Sequence, residues 1–126
     1  MRLVIVRHAE AAPGDPDELR PLTPGGREQA RGLGDRLRAA GVEPDAVLTS
    51  PLRRARETAA ALGFGEPEVD DRLAPGAAPD AVRGAALDRG GVVVVVGHQP
   101  DCGIAVRELA GVDAPFPPAG HFELEL

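Results

Sequence analysis

Two histidines in this chain each stand directly behind an apolar run. Arg7-His8 follows Leu3 to Val6, and Gly97-His98 follows the unbroken run Val92 to Val96. A third polar segment, Ser50 to Arg54, follows the short run Ala46 to Leu48. If the three runs are neighbouring strands, two His, two or three Arg and the free amides of helix N-termini meet at one sheet edge. Such a place binds anions, and phosphate is its natural ligand. A neutral imidazole is nucleophilic near neutral pH, because its ordinary pKa is about 6.5. Attack of His8 on phosphorus gives a phosphohistidine and divides the reaction into two easier steps. Arg7, Arg54 and a protonated His98 are expected to stabilise the charge on the three equatorial oxygens. The guanidinium groups supply the positive field, so no metal and no cofactor is expected.

The elements that must position these residues can be read from pattern and punctuation. Leu3 to Val6 reads as a buried strand. Pro13 to Pro21, rich in Pro, Gly and acid, reads as a loop. Thr23-Pro24 opens a helix, with Thr as N-cap and Pro in the first turn, and Gly41 closes it. Ala30, Leu33, Leu37 and Ala40 form its apolar stripe. Ala46 to Leu48 is a second strand. Ser50-Pro51 repeats the cap-then-proline start, and the next helix buries Leu52, Ala55, Ala59 and Leu62 before ending at Gly63. Glu68 to Val69 is a brief third strand, and Asp80 to Leu87 a short helix. Val92 to Val96 is apolar on both faces, as a central covered strand should be. A helix follows from about Pro100 to Ala110. His121 to Leu126 alternates apolar and polar residues like a half-buried edge strand. Strands alternating with helices imply an α/β fold: a three-layer αβα sandwich with a mostly parallel central sheet and a C-terminal edge strand. In such folds the site lies at the carboxyl ends of the strands, where the three polar segments fall.

Composition narrows the function further. At 126 residues the chain fits one domain, expected to span 1–126, with an aliphatic core because aromatics make up only 2%. The formal charge of −6 argues against nucleic-acid or membrane-surface binding. All 14 basic residues are Arg, which excludes a Schiff-base lysine and a lysine-dependent P-loop. Cys102 is the only cysteine, which excludes an internal disulfide and a multi-cysteine zinc site. It also fails as a phosphatase nucleophile. That chemistry needs five residues between Cys and Arg, whereas four separate Cys102 from Arg107. With no signal-like segment and no long apolar run, a cytoplasmic protein is expected. His121 has no motif and reads as structural. Arg53 and Arg56 read as solvated neighbours of Arg54.

Three motifs in order then resemble one family. Arg7-His8-Ala9 resembles the Arg-His-Gly signature of the histidine phosphatase (phosphoglycerate mutase-like) superfamily. Ser50-Pro51-Leu52-Arg53-Arg54-Ala55-Arg56-Glu57-Thr58 resembles its Ser-Pro-x-x-Arg-Ala-x-x-Thr segment, and Gly97-His98 its second-histidine motif. The resemblance implies a phosphoglycerate mutase-like fold, His8 as nucleophile, and Arg7, Arg54 and His98 as phosphate ligands. The short chain, Arg20-Pro21-Leu22-Thr23 and Leu73-Ala74-Pro75-Gly76 are similar to the small bacterial phosphohistidine phosphatases. That subgroup's substrate is a phosphorylated His on a signalling or phosphotransfer protein, with inorganic phosphate as product.

Two departures bear on mechanism. Ala9 replaces the usual Gly and is expected to add a methyl group beside the pocket. Arg72-Leu73 is followed by Ala74-Pro75, without the acidic residue that other members carry there, so the site is expected to be open. Asp17 and Glu18 stand as substitute general acids, and Arg20 as a rim contact. Two further readings remain beside the first: a broader phosphomonoesterase acting on a small phosphate ester, and a catalytically weak phosphoprotein-binding module.

Overall fold

A computed structural model describes residues 1–126. Five strands, β1 (Arg2–Arg7), β2 (Ala46–Thr49), β3 (Glu68–Val69), β4 (Val92–Gly97) and β5 (His121–Glu125), form one sheet in the order β3-β2-β4-β1-β5. All pairings are parallel except that of β5 with β1. The helices are α1 (Pro24–Ala39), α2 (Arg53–Ala61), α3 (Pro79–Ala86) and α4 (Asp101–Ala110), with 3-10 turns at Asp17–Leu19 and Asp71–Leu73. The expected three-layer α/β sandwich with a C-terminal edge strand is what the chain forms.

The valine run shows why β4 takes the centre. Val93 and Val95 pack with Leu3, Ile5, Val82, Ala105 and Val106 under α3 and α4. Val94 and Val96 pack with Val4, Val6, Leu33, Leu37 and Ala59 under α1 and α2. Successive strand side chains point to opposite faces, so a strand covered on both sides must be apolar at every position. Cys102 belongs to the first of these cores, and burial pushes its thiol up to about 12. It is a packing residue, as expected.

Thr23 caps α1 by accepting the Gly26 N–H at 2.9 Å, with Pro24 in the first turn. The parallel start at Ser50-Pro51 does not form. Helix α2 begins at Arg53, Leu52 is its N-cap, and no side chain caps it. The Ser50 hydroxyl makes only a local bond to the Leu52 N–H at 3.2 Å and is otherwise turned to His98. The local capping rule yields there to a contact between strand ends.

The sheet order creates the site. From β1 the chain passes by α1 to β2, two places away, and β4 later returns into the gap between them. The covering helices change faces there, α1 and α2 on one and α3 and α4 on the other. A crevice opens at such a switch point, at the carboxyl ends of the strands.

Candidate active site

Register alone brings the two histidines together. Arg7 of β1 is paired with Gly97 of β4, so the next residue on each strand is a histidine. The His8 N–H donates to the Gly97 carbonyl at 2.9 Å, and the rings lie 5.3 Å apart between centroids. The third segment arrives from β2, whose Thr49 pairs with Val96. In the first turn of α2, Arg54 points inward and is only 7% exposed, while Arg56 faces solvent. Arg53 and Arg56 bond to Glu57 and the Pro51 carbonyl, away from the histidines.

The His8 ring is held in one tautomer. Its Nδ1 lies 2.7 Å from the Ala9 carbonyl oxygen. A carbonyl only accepts, so Nδ1 carries the proton and Nε2 keeps its lone pair. Burial lowers the His8 pKa below its ordinary value. The bond to Ala9 opposes that, and the charges of Arg54, Arg7 and Arg20 reinforce it. The free base is therefore the form present at neutral pH.

Ala9 itself is fully buried, packed with Leu22, Ala30 and Ala119. Its methyl thus fills a small core beneath the loop instead of narrowing a phosphate pocket, which corrects the expectation from sequence. Its N–H donates to Thr58 Oγ1 at 2.9 Å, and Thr58 in turn donates to the Arg54 carbonyl at 2.8 Å. Thr58 ties the His8 loop to the helix that carries Arg54. Its place in the quoted motif was the available signal.

His98 is 4% exposed, with Nε2 at 2.7 Å from Ser50 Oγ. Burial first, then the charges of His8 and Arg54, push its pKa down to about 4. It is therefore neutral at pH 7, not the imidazolium expected from sequence. The Ser50 hydroxyl is bonded only to the Leu52 N–H and to His98 Nε2, so the ring nitrogen is the one acceptor for its buried proton, and we assign the proton to that bond. That places the ring proton of His98 on Nδ1, which is buried and has no partner.

The unpartnered atoms form a pattern. Three buried side-chain polar atoms lack a hydrogen-bond partner: Arg7 Nε, Arg54 Nε and His98 Nδ1. Each belongs to a residue of this one cluster, and each is a donor. Native proteins rarely leave such groups unsatisfied without a functional reason. Arg7 has one bond, from Nη1 to the Phe116 carbonyl at 3.0 Å.

The loop before α1 crosses the cluster. Arg54 donates from Nη1 to the Asp17 carbonyl at 2.9 Å and from Nη2 to Asp17 Oδ2 at 3.2 Å. Arg20 donates from Nη1 to Asp17 Oδ1 at 3.1 Å and from Nε to the Ala12 carbonyl at 2.9 Å. Hydrogen bonding from Arg20, joined by Arg54, holds the Asp17 carboxyl below the usual carboxylate range. Glu18 is exposed on the same turn. On the opposite side, Asp101 accepts from Gly76 N at 2.8 Å and Ala77 N at 3.1 Å. It pins the Ala74 to Ala77 loop where other members carry their acid. His121 is exposed on β5. No group of His, Cys, Asp and Glu side chains is placed to hold a metal ion.

Comparison with known proteins agrees with this fold. Residues 3–81 match the model of the histidine phosphatase superfamily (branch 1). The chain is 34% identical over 125 residues to phosphohistidine phosphatase SixA of Escherichia coli K12, spanning 91% of this chain and 78% of that protein. It is 37% identical over 132 residues to a protein of Picosynechococcus, spanning 96% and 77%. The structure of protein histidine phosphatase SixA complexed with tungstate superimposes with a TM-score of 0.90 at 28% identity, covering all of this chain and 88% of that one. A phosphoserine phosphatase from Entamoeba histolytica, at 15% identity and a TM-score of 0.75, shares the fold. The chain belongs to the histidine phosphatase superfamily, branch 1.

Proposed function

We propose that this chain is a metal-independent phosphohistidine phosphatase, with His8 as the nucleophile. The observation that carries the reading is the set of buried, unpartnered donors on Arg7, Arg54 and His98 beside His8. A phosphoryl group seated there would accept from all three. The Nε2 lone pair of His8 then attacks phosphorus, the N–P bond forms, and the bond to the leaving group breaks. Water cleaves the phosphohistidine in a second step, releasing inorganic phosphate and restoring His8. A neutral His98 contributes as a hydrogen-bond donor, while Arg7 and Arg54 contribute charge. The similar SixA structure is a complex with tungstate, an oxyanion, which supports oxyanion binding by this fold.

The substrate reading rests on leaving-group chemistry. Asp17 is ionised by its arginines, so as the loop lies it has no proton to give at neutral pH. A phosphate ester needs its oxygen protonated as it leaves. A phosphohistidine leaves through a nitrogen that solvent can protonate, and tolerates the lack. A phosphorylated His on a protein is therefore the substrate we favour over a small phosphate ester. We take residues 1–126 as one domain, because every strand joins one sheet. No helix is long and apolar enough to cross a membrane. The lone buried Cys102 favours placement in the cytoplasm.

One experiment tests the reading. Purified protein, without metal, is given a phosphorylated His-containing phosphotransfer protein and a panel of phosphomonoesters. The expected result is a higher kcat/KM on the phosphoprotein, with phosphate trapped on the enzyme in an acid-labile, base-stable form that His8→Ala abolishes. Trapping that survives in His8→Ala removes His8 from the role. Turnover of a phosphomonoester with none on phosphohistidine overturns the substrate.

A further inference from the structure

Both terminal nitrogens of Arg54, a phosphate ligand in the reading above, are engaged by one residue of the chain itself. Nη1 meets the Asp17 carbonyl and Nη2 the Asp17 carboxylate. The carboxylate also bridges to Arg20, so a single acid answers two guanidinium groups and leaves one positive charge unbalanced. The two partners differ in how firmly they are held. The Arg54 side chain is 9% exposed and the Asp17 side chain 61%. The Asp17–Leu19 turn buries no residue, so the core does not fix it. Arg54 is the fixed member of the pair and Asp17 the movable one.

We propose that Asp17 is an internal competitor for the phosphoryl site: its carboxylate occupies Arg54 and must hand the guanidinium over to the incoming phosphoryl group. The proposal rests on the reading of Arg54 as a phosphate ligand. The exchange is inexpensive, because solvent screens an ion pair whose acid is exposed. It is also selective. A phosphoryl dianion with several acceptor oxygens can take the unpartnered Nε together with the terminal nitrogen that Asp17 releases, and meet the surplus positive charge. A single carboxylate on a foreign ligand offers Arg54 nothing that Asp17 does not already give. Specificity often comes from such a built-in opponent as much as from added attraction. After turnover, the same carboxylate displaces inorganic phosphate from Arg54. Asp17 is thus a residue that sets affinity and selectivity.

The test uses inorganic phosphate as the probe, on the full chain and its Asp17→Asn and Asp17→Ala variants, with Glu18→Gln as the control for loss of a neighbouring charge. Phosphate binding is measured by calorimetry, which needs no turnover, and KM and kcat on the best substrate are measured separately. The expected result is phosphate binding roughly 2–5-fold tighter in both Asp17 variants, the size of an exposed-pair contribution. KM should fall, and kcat should stay level or fall as product leaves more slowly. Glu18→Gln should change phosphate affinity less than either Asp17 variant. A residue that merely braces Arg54 gives the opposite sign, with weaker phosphate binding in both. Unchanged or weaker binding overturns the competitor. So does a Glu18→Gln gain as large as theirs. A wild-type chain that binds no phosphate and hydrolyses no phosphoryl substrate removes the phosphatase reading itself. Normal wild-type binding with no gain in the variants removes only the role of Asp17.

Discussion

Ser50→Ala separates the placement of His98 from its presence. Ser50 is fully buried, and its hydroxyl has two partners, the Leu52 N–H and His98 Nε2. Alanine leaves both without a partner and brings no new bulk. A buried group stranded in this way costs about 1–3 kcal/mol, so unfolding free energy should drop by that amount in urea melts. The catalytic loss follows from the tautomer. With Ser50 donating to Nε2, the His98 proton sits on Nδ1, the unpartnered donor. Without Ser50 nothing fixes the ring or its tautomer. If the same 1–3 kcal/mol is lost from the transition state, kcat/KM falls by roughly 5–150-fold. His98→Ala, which removes the donor outright, should be worse, in the range of about 100–1,000-fold seen for a lost oxyanion donor. Imidazole 15N NMR reads the cause directly: wild type should show the His98 proton on Nδ1, and Ser50→Ala a shift away from that form. A wild-type proton on Nε2, or a Ser50→Ala enzyme with an unchanged spectrum and unchanged kcat/KM, would refute the reasoning.

Two other outcomes follow from the same contacts. His98 holds a folded pKa of about 4 against 6.5 unfolded, so between those values the unfolded chain binds a proton that the folded chain refuses. Stability is then full above pH 6.5 and is lost as pH falls toward about 4, by roughly 3 kcal/mol for this group, and His98→Gln should flatten that slope in urea melts across the window. The lowered His8 pKa acts with the same sign. Gly34→Ala should destabilise by about 1–3 kcal/mol or more, because its Cβ would lie 2.1 Å from the Leu62 carbonyl oxygen and backbone cannot step aside as a side chain can; a thermal melt within 1 °C of wild type would show that α1 and α2 separate freely.

Much of the fold was legible because it depends on few long-range choices. The five valines specify a strand buried on both faces, and the structure divides them between two cores. Thr23-Pro24 and Gly41 punctuate α1 by backbone geometry alone, and the bond from Gly26 to Thr23 and the left-handed φ of 83° at Gly41 answer them. The meeting of His8 with His98 needed only that β1 and β4 be neighbours in register. A parallel sheet with helices on both faces makes that economical, because each strand end then offers its next residue to the same crevice. The family resemblance carried the remainder, since its motif implied Arg54 and not Arg53 as the phosphate ligand.

What stayed hidden concerns choices between equivalent partners for one polar group. Ser50-Pro51 satisfies the rule for a helix start as well as Thr23-Pro24 does, yet only Thr23 caps. The difference is tertiary: β2 ends beside β4, and the bond to buried His98 holds the Ser50 hydroxyl at the strand end while the helix starts later, at Arg53. Asp17 likewise reads from sequence as a substitute general acid, and only the fold shows that its carboxylate is held by Arg54 and Arg20. The charge state of His98 is hidden for a related reason. A sequence lists the arginines around a histidine without their distances or its burial, and these decide whether the ring is a cation or a neutral donor. At Ser50, Asp17 and His98 a local expectation is overridden, and all three touch one another or Arg54. Sequence rules fail together where a site demands something that local structure would not choose. That clustering independently marks this crevice, and not the rest of the surface, as the place where the chain does its chemistry.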